Sequence, residues 1–266
     1  MLRLLLALLF ALLAVRAPAA EQAQAEFELT AHGEIEIGPD GSVLTHRIER
    51  GLSAIITKLV EKNVRTWRFE PILVEGRPVI AKTTMQLALQ AKPTPEGDYA
   101  LTLENVWFGV RKANSANVPP NYPLKALRKS LGARVLLVLQ LDSAGRVLAA
   151  HPRQTSLNRR FIKEARAQEW REVFEAASVK AALTWSYGGS DLIGNQPSGG
   201  YVLVPISYQV AAENEWQGFF PGPETTAPWE SESGLLAGDP EAVDDSSAVA
   251  LNSRFKLLTD VEGKAL

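Results

Sequence analysis

One order of elements is written twice in this chain of 266 residues, and that repeat constrains the fold more than any single motif. In the first copy, residues 32–37 alternate polar and apolar, with Ile35 and Ile37 on one face. Gly38-Pro39-Asp40-Gly41 follows. Proline presets φ and Asp-Gly tolerates positive φ, so the segment predicts a hairpin that returns at Ser42-Val43-Leu44. Leu52, Ile55, Ile56, Leu59 and Val60 then recur at helical spacing. Trp67-Arg68-Phe69-Glu70-Pro71 comes next, then a turn at Glu75-Gly76-Arg77-Pro78. A strand over 79–89 closes the copy, with Met85, Leu87 and Leu89 on alternate positions.

The second copy has the same order. Residues 134–141 form a strongly apolar strand, Asp142-Ser143-Ala144-Gly145 a turn, and residues 146–149 the returning strand. A helical region is expected over about 158–183. Trp185-Ser186-Tyr187 echoes Trp67-Arg68-Phe69, and residues 201–210 close the copy with Val202, Val204, Ile206 and Tyr208 on one face. The expected fold class is therefore α+β: two tandem small modules over 26–112 and 119–212, each a short antiparallel sheet backed by helices. Residues 98–110 read as one more strand, which belongs to the first module or bridges the two. Residues 114–121 read as a linker.

Both ends depart from this pattern. Arg3 precedes an unbroken apolar run over 4–15, and Ala17, Pro18, Ala19 and Ala20 supply small residues for cleavage. A signal peptide over 1–20 is expected; Ala23-Gln24-Ala25 offers a second cleavage site. As a helix the run would reach roughly 18 Å, short of the roughly 30 Å bilayer core. At the other end, residues 211–266 hold 3 of the 28 Lys/Arg and 11 of the 30 Asp/Glu. This acidic, proline-bearing tail over 213–266 reads as flexible and mostly disordered. Trp216, Phe219, Phe220 and Trp229 could pin its first part to the folded modules. Phe255-Lys256-Leu257-Leu258 is a short apolar element near the end.

The second copy resembles the TonB C-terminal domain family through Pro120-Asn121-Tyr122-Pro123 with Ala126, the strand over 135–141, and Ala144-Gly145-Arg146-Val147. Trp185-Ser186-Tyr187 and Val204-Pro205-Ile206-Ser207-Tyr208 complete the match. The first copy is similar through Pro39-Asp40-Gly41-Ser42-Val43, Trp67-Arg68-Phe69-Glu70-Pro71 and Gly76-Arg77-Pro78-Val79, but lacks the Tyr-Pro entry. The resemblance implies a Gram-negative periplasmic protein of the cell envelope. It implies a small antiparallel sheet that grips an extended protein segment by strand addition, as in transport across the outer membrane. The long Pro-rich spacer of an energy transducer is absent. The expected function is a periplasmic binding or adaptor protein. A membrane-anchored energy transducer and a homo-oligomerising envelope protein are the alternatives.

Edge strands offer unpaired N–H and C=O groups to an incoming strand. The closing strands, carrying Val202, Val204, Ile206 and Tyr208 and Met85, Leu87 and Leu89, are the candidate edges. Expected partners are cell-envelope proteins, an outer-membrane protein among them, with room for a homodimer. No nucleic acid or small-molecule substrate is expected, because no dense Lys/Arg stripe interleaved with aromatics occurs. No enzyme activity and no cofactor are expected either. The chain has no cysteine, which excludes disulfides, thiolate metal sites and a cysteine nucleophile. Neither a Gly-x-Ser-x-Gly elbow nor a phosphate loop occurs. His32 and His46 flank one hairpin and read as solvated imidazoles, not a metal pair. Trp67 and Trp185 read as plugs between helix and sheet.

Overall fold

Both predicted hairpins form, and each seeds an antiparallel sheet. A computed structural model describes residues 26–94, 98–189, 191–209, 218–229, 247–250 and 254–266. The expected signal peptide lies outside the described residues. The first sheet starts with β1 (Phe27–Ile37) and β2 (Val43–Ile48), followed by helix α1 (Ala54–Val64). A two-residue hairpin, β3 (Leu73–Val74) and β4 (Arg77–Pro78), leads into β5 (Ala81–Pro93) and β6 (Tyr99–Phe108). The second sheet takes β7 (Arg111–Ala113) and, after the single turn α2 (Leu124–Leu127), β8 (Ala133–Leu141) and β9 (Val147–Leu157). Helix α3 (Glu164–Ala182) follows, then β10 (Tyr187–Gly188), β11 (Asp191–Ile193), β12 (Gln196–Ser198) and β13 (Gly200–Tyr208). The chain ends with β14 (Ser247–Ala250) and β15 (Lys264–Ala265). The fold is mixed and mostly β.

Each sheet packs one face on a helix. Alternation puts Ile35, Ile37, Met85 and Leu87 against Val60 and Val64 of α1, with Trp67 and Phe69 closing the layer. Ser53 caps α1 by accepting from the Ile56 amide at 3.3 Å. Ile55, expected on the apolar stripe, is 74% exposed. In the second sheet Leu137, Leu139, Val202 and Ile206 meet Trp170, Phe174 and Ala182. Helix α3 begins at Glu164, later than the expected 158, because Asn158 is held to Gly132. Its amide donates to the Gly132 carbonyl at 3.0 Å, and its side chain accepts from the Gly132 N–H at 2.8 Å.

The two hairpin turns lock onto the two Trp-x-aromatic segments in the same way. The Phe69 amide donates to the Gly41 carbonyl and the Tyr187 amide to the Gly145 carbonyl, both at 2.8 Å. Ser42 pairs with Arg68, and Arg146 with Ser186. Both glycines have positive φ, 77° and 80°. A Cβ on Gly41 would lie 2.0 Å from the Phe69 carbonyl oxygen, and one on Gly145 would lie 1.9 Å from that of Tyr187. Only glycine permits both the backbone angle and the approach.

The sheets also exchange strands. Residues 191–198 of the expected second module form a hairpin whose turn, Gly194-Asn195, has both φ positive, 57° and 64°. The glycines around this hairpin make it read as a loose loop in sequence; in the structure its β11 pairs Leu192 and Ile193 with Lys82 and Ala81 of β5 in the first sheet. Reciprocally, β7 joins the second sheet, in the order β10-β7-β14-β13-β8-β9.

Two further expectations change. The strand over 79–89 is not an edge: β5 pairs β1 over Ala81–Ala91 and β6 over Met85–Pro93, so Met85, Leu87 and Leu89 sit on a central strand. The described parts of the tail are docked. Phe220 pairs with Leu157, the Gly222 amide donates to the Thr155 carbonyl, and the Thr225 amide to that of Arg153. Phe219 lies under the Arg134 guanidinium at 4.6 Å, and Trp229 stacks on Tyr201 with centroids 5.2 Å apart. Farther on, Phe255 and Val261 are buried in the first core, and β15 pairs with β6. Trp216 lies outside the described residues. Among the described residues no helix is long and apolar enough to cross a membrane.

Gly145→Ala is expected to cost about 3–4 kcal/mol in urea unfolding, since strain and a backbone clash coincide. Gly76→Ala has the same φ sign, at 76°, but open space around the new Cβ. It is expected to cost only about 1 kcal/mol.

A groove along the free edge of the second sheet

Strand β13 pairs β8 from Gly200 to Tyr208, but on its other side β14 covers only Val202 and Leu203. Among the described residues, the edge from Val204 to Tyr208 is unpaired on that side. Beyond Leu203, β14 turns to β7 through Ser247 and Ala248, and β7 in turn pairs with β10 through Lys112 and Ala113. The sheet therefore opens as a wedge. A groove with a cavity volume of about 660 Å³ fills it, between the β13 edge and a wall from Ala113, Asn117, Pro119 and Pro120. Tyr122, Trp185 and Tyr187 also line it.

The wall is held by side chains acting as strand partners. The Asn117 amide nitrogen donates to the Ser186 carbonyl, and its oxygen accepts from the Ser186 N–H, both at 2.9 Å. One side chain thus pairs with both main-chain groups of Ser186, whose carbonyl also accepts from the Asn114 amide at 3.0 Å. The Trp185 indole donates to the Val118 carbonyl at 2.8 Å. Underneath, Tyr122, Phe174 and Tyr208 form an aromatic cluster with centroids 4.9–6.0 Å apart. The Tyr122 hydroxyl donates to the Leu131 carbonyl at 2.7 Å, and the Ser178 and Tyr208 hydroxyls are 2.9 Å apart. Burial raises the pKa of the Tyr122, Tyr187 and Tyr208 phenols above their ordinary value, so all three stay neutral at physiological pH. The groove offers aromatic and proline faces plus one row of main-chain groups, and among the described residues no charged side chain lines it.

No protein-family model, curated protein or solved structure matches this chain.

The sequence-predicted residues divide between the sheets. Pro120, Tyr122, Trp185, Tyr187, Val204, Ile206 and Tyr208 converge on the groove. Pro123 lies beside it and starts α2, its carbonyl accepting from Ala126 and Leu127. Val202 is buried in the second core under the stretch that β14 covers. Trp67 and Phe69 are core residues of the first sheet, stacked edge-on with Phe108, and Pro71 is exposed. Trp185 is buried like Trp67 but also reaches the groove. His46 sits opposite Ile35, whereas the His32 carbonyl accepts from Glu49, so the two imidazoles are not cross-strand neighbours. Among the described residues no cluster of three or more His, Asp or Glu is placed to hold a metal ion. Asn117 and Ala113 were missed from sequence. The first lay in an apparent linker, and nothing local marks an asparagine that replaces a strand.

Asn117→Ala leaves both main-chain groups of Ser186 without this partner. It is expected to lower unfolding stability by about 2 kcal/mol, read in urea; a change under about 0.5 kcal/mol would remove Asn117 as the support of the wall.

Proposed function

We propose that this protein is an exported, periplasmic binding module of the TonB C-terminal type, built from two tandem units, that takes up an extended segment of another envelope protein on β13. The N-terminal pattern of Arg3, the apolar run over 4–15 and the small residues after it supports the compartment. The matched glycine and Trp-x-aromatic contacts support the tandem reading.

One comparison within the chain carries the binding reading. Strands β5 and β13 hold equivalent places, each following a Trp-x-aromatic segment and each pairing the first strand of its hairpin. On β5 the second edge is filled by β6, antiparallel, across nine paired positions from Met85 to Pro93. Among the described residues, the corresponding edge of β13 carries β14 at two positions and no strand beyond them. The first sheet thus supplies, within the same molecule, a docked example of a strand that has no counterpart among the described residues of the second. Five residues of edge span roughly 17 Å, which suits a peptide of about five residues lying antiparallel to β13. Main-chain bonds would give affinity, and the aromatic and proline wall would select side chains that alternate into it.

Full-length protein screened against a random peptide library is expected to enrich extended, apolar-alternating sequences. N-methylation of alternate amides in a selected peptide should lower its affinity at least tenfold, because each removes a ladder donor. Ala113→Trp, at an exposed position of the groove wall, should abolish binding while leaving the unfolding midpoint unchanged. Affinity that survives both changes would refute strand addition on β13.

A further inference from the structure

A second cavity lies where the sheets exchange strands, and it shares no lining residue with the groove. Its volume is about 240 Å³, and Arg111, Gln140, Asp191, Ser198 and Arg254 line it. Arg111 is the unusual member. It is 1% exposed, on a strand of the second sheet, yet its Nη2 donates to the carbonyl of Ser198 on β12 in the first sheet at 3.2 Å. The same nitrogen lies 3.8 Å from Asp191 Oδ2, too far for a hydrogen bond. Asp191 is committed elsewhere, its Oδ1 accepting from the Thr83 hydroxyl at 2.7 Å. The Arg111 Nη1, with two N–H groups, has no partner.

A buried guanidinium nitrogen without an acceptor is costly, and native interiors supply one from protein, water or ligand. We propose that this cavity binds a small monocarboxylate, whose oxygens accept from Arg111 Nη1 and from Arg254. The guanidinium fork matches a carboxylate in spacing and plane. Charge selects the class of anion. Arg111 and Arg254 bring two positive charges and Asp191 one negative, so a monoanion balances the site and a dianionic phosphate overfills it. Size agrees: at about 30 Å³ for each water in the liquid, the cavity has room for a guest of several heavy atoms. The site joins β7 to the hairpin of β11 and β12, so its occupant would contact both sheets.

Acetate titrated into the full chain by calorimetry, against phosphate at matched ionic strength, tests this. The expected result is saturable binding of one acetate, at least tenfold tighter than phosphate. Arg254→Gln changes an exposed residue and should weaken acetate at least tenfold without unfolding the protein. Arg111→Lys keeps the charge, loses the fork and should weaken it comparably. If that variant fails to fold, Arg254→Gln decides. Binding of neither anion would mean that the cavity holds water alone and would overturn the proposal. So would phosphate binding tighter than acetate, or acetate binding undiminished in Arg254→Gln.

Discussion

One buried guanidinium sits where the two sheets exchange strands. Arg111 belongs to β7 but is buried among residues of the first sheet, with Ser198 and Asp191 of the β11–β12 hairpin as its neighbours. A buried charge holds its surroundings to one geometry, because any slip leaves it with neither water nor a partner. Burial lowers the pKa of Arg111, but arginine remains a cation, so the site cannot relieve itself by losing a proton. The strand exchange meets at this point: the β11–β12 hairpin pairs with β5, and β7 pairs within the second sheet, where it forms the far wall of the groove. The groove exists because β7 stands off from β13, with β14 bridging only the narrow end.

The same local contacts recur around both hairpins, and the two sheets then differ at one strand. Both have a hairpin whose glycine accepts an amide from an aromatic residue after the helix, and both bury a tryptophan two residues earlier. They diverge at the closing strand. In the first half the chain continues straight into β6, which zips along β5 and uses its hydrogen-bonding groups. In the second half Pro205 lies within the closing strand, and among the described residues that follow it the chain pairs with it at β14 alone. Edge groups left open in a sheet invite pairing from outside.

Much of this was legible in the residues, for local reasons. Pro-Asp-Gly and Ser-Ala-Gly turns act through φ alone, so the two hairpins could be read without knowing what packs on them. Alternation located β5, β8 and β13 because each buries one face. Tyr122, Trp185, Tyr187 and Tyr208 were singled out, though their convergence on one groove depends on distant contacts. What failed was tertiary in origin. The strand over 79–89 seemed terminal because nothing in its own sequence announces a neighbour on each side. Residues 191–198 are too short, and too closely flanked by glycines, to declare a hairpin, which becomes visible only against β5. Phe220, Gly222 and Thr225 carry no periodicity, because they borrow their partners from the edge of β9. Arg111 is likewise unmarked in sequence, because Ser198 and Asp191, its neighbours, lie some eighty residues along the chain.

The first core also has an unusual timetable. Phe255 and Val261 are buried among residues from 31–108, the Glu70 amide donates to the Lys256 carbonyl, and the Leu266 amide donates to that of Leu101. These contacts join segments separated by more than a hundred residues, so closing that core carries a large loop-entropy cost. A chain emerging from its N-terminus must hold the first sheet open on one flank until residue 266 arrives. Any process that handles the protein while it is still being made or threaded meets an incomplete first sheet, with a binding face on β6 that its own last residues later occupy.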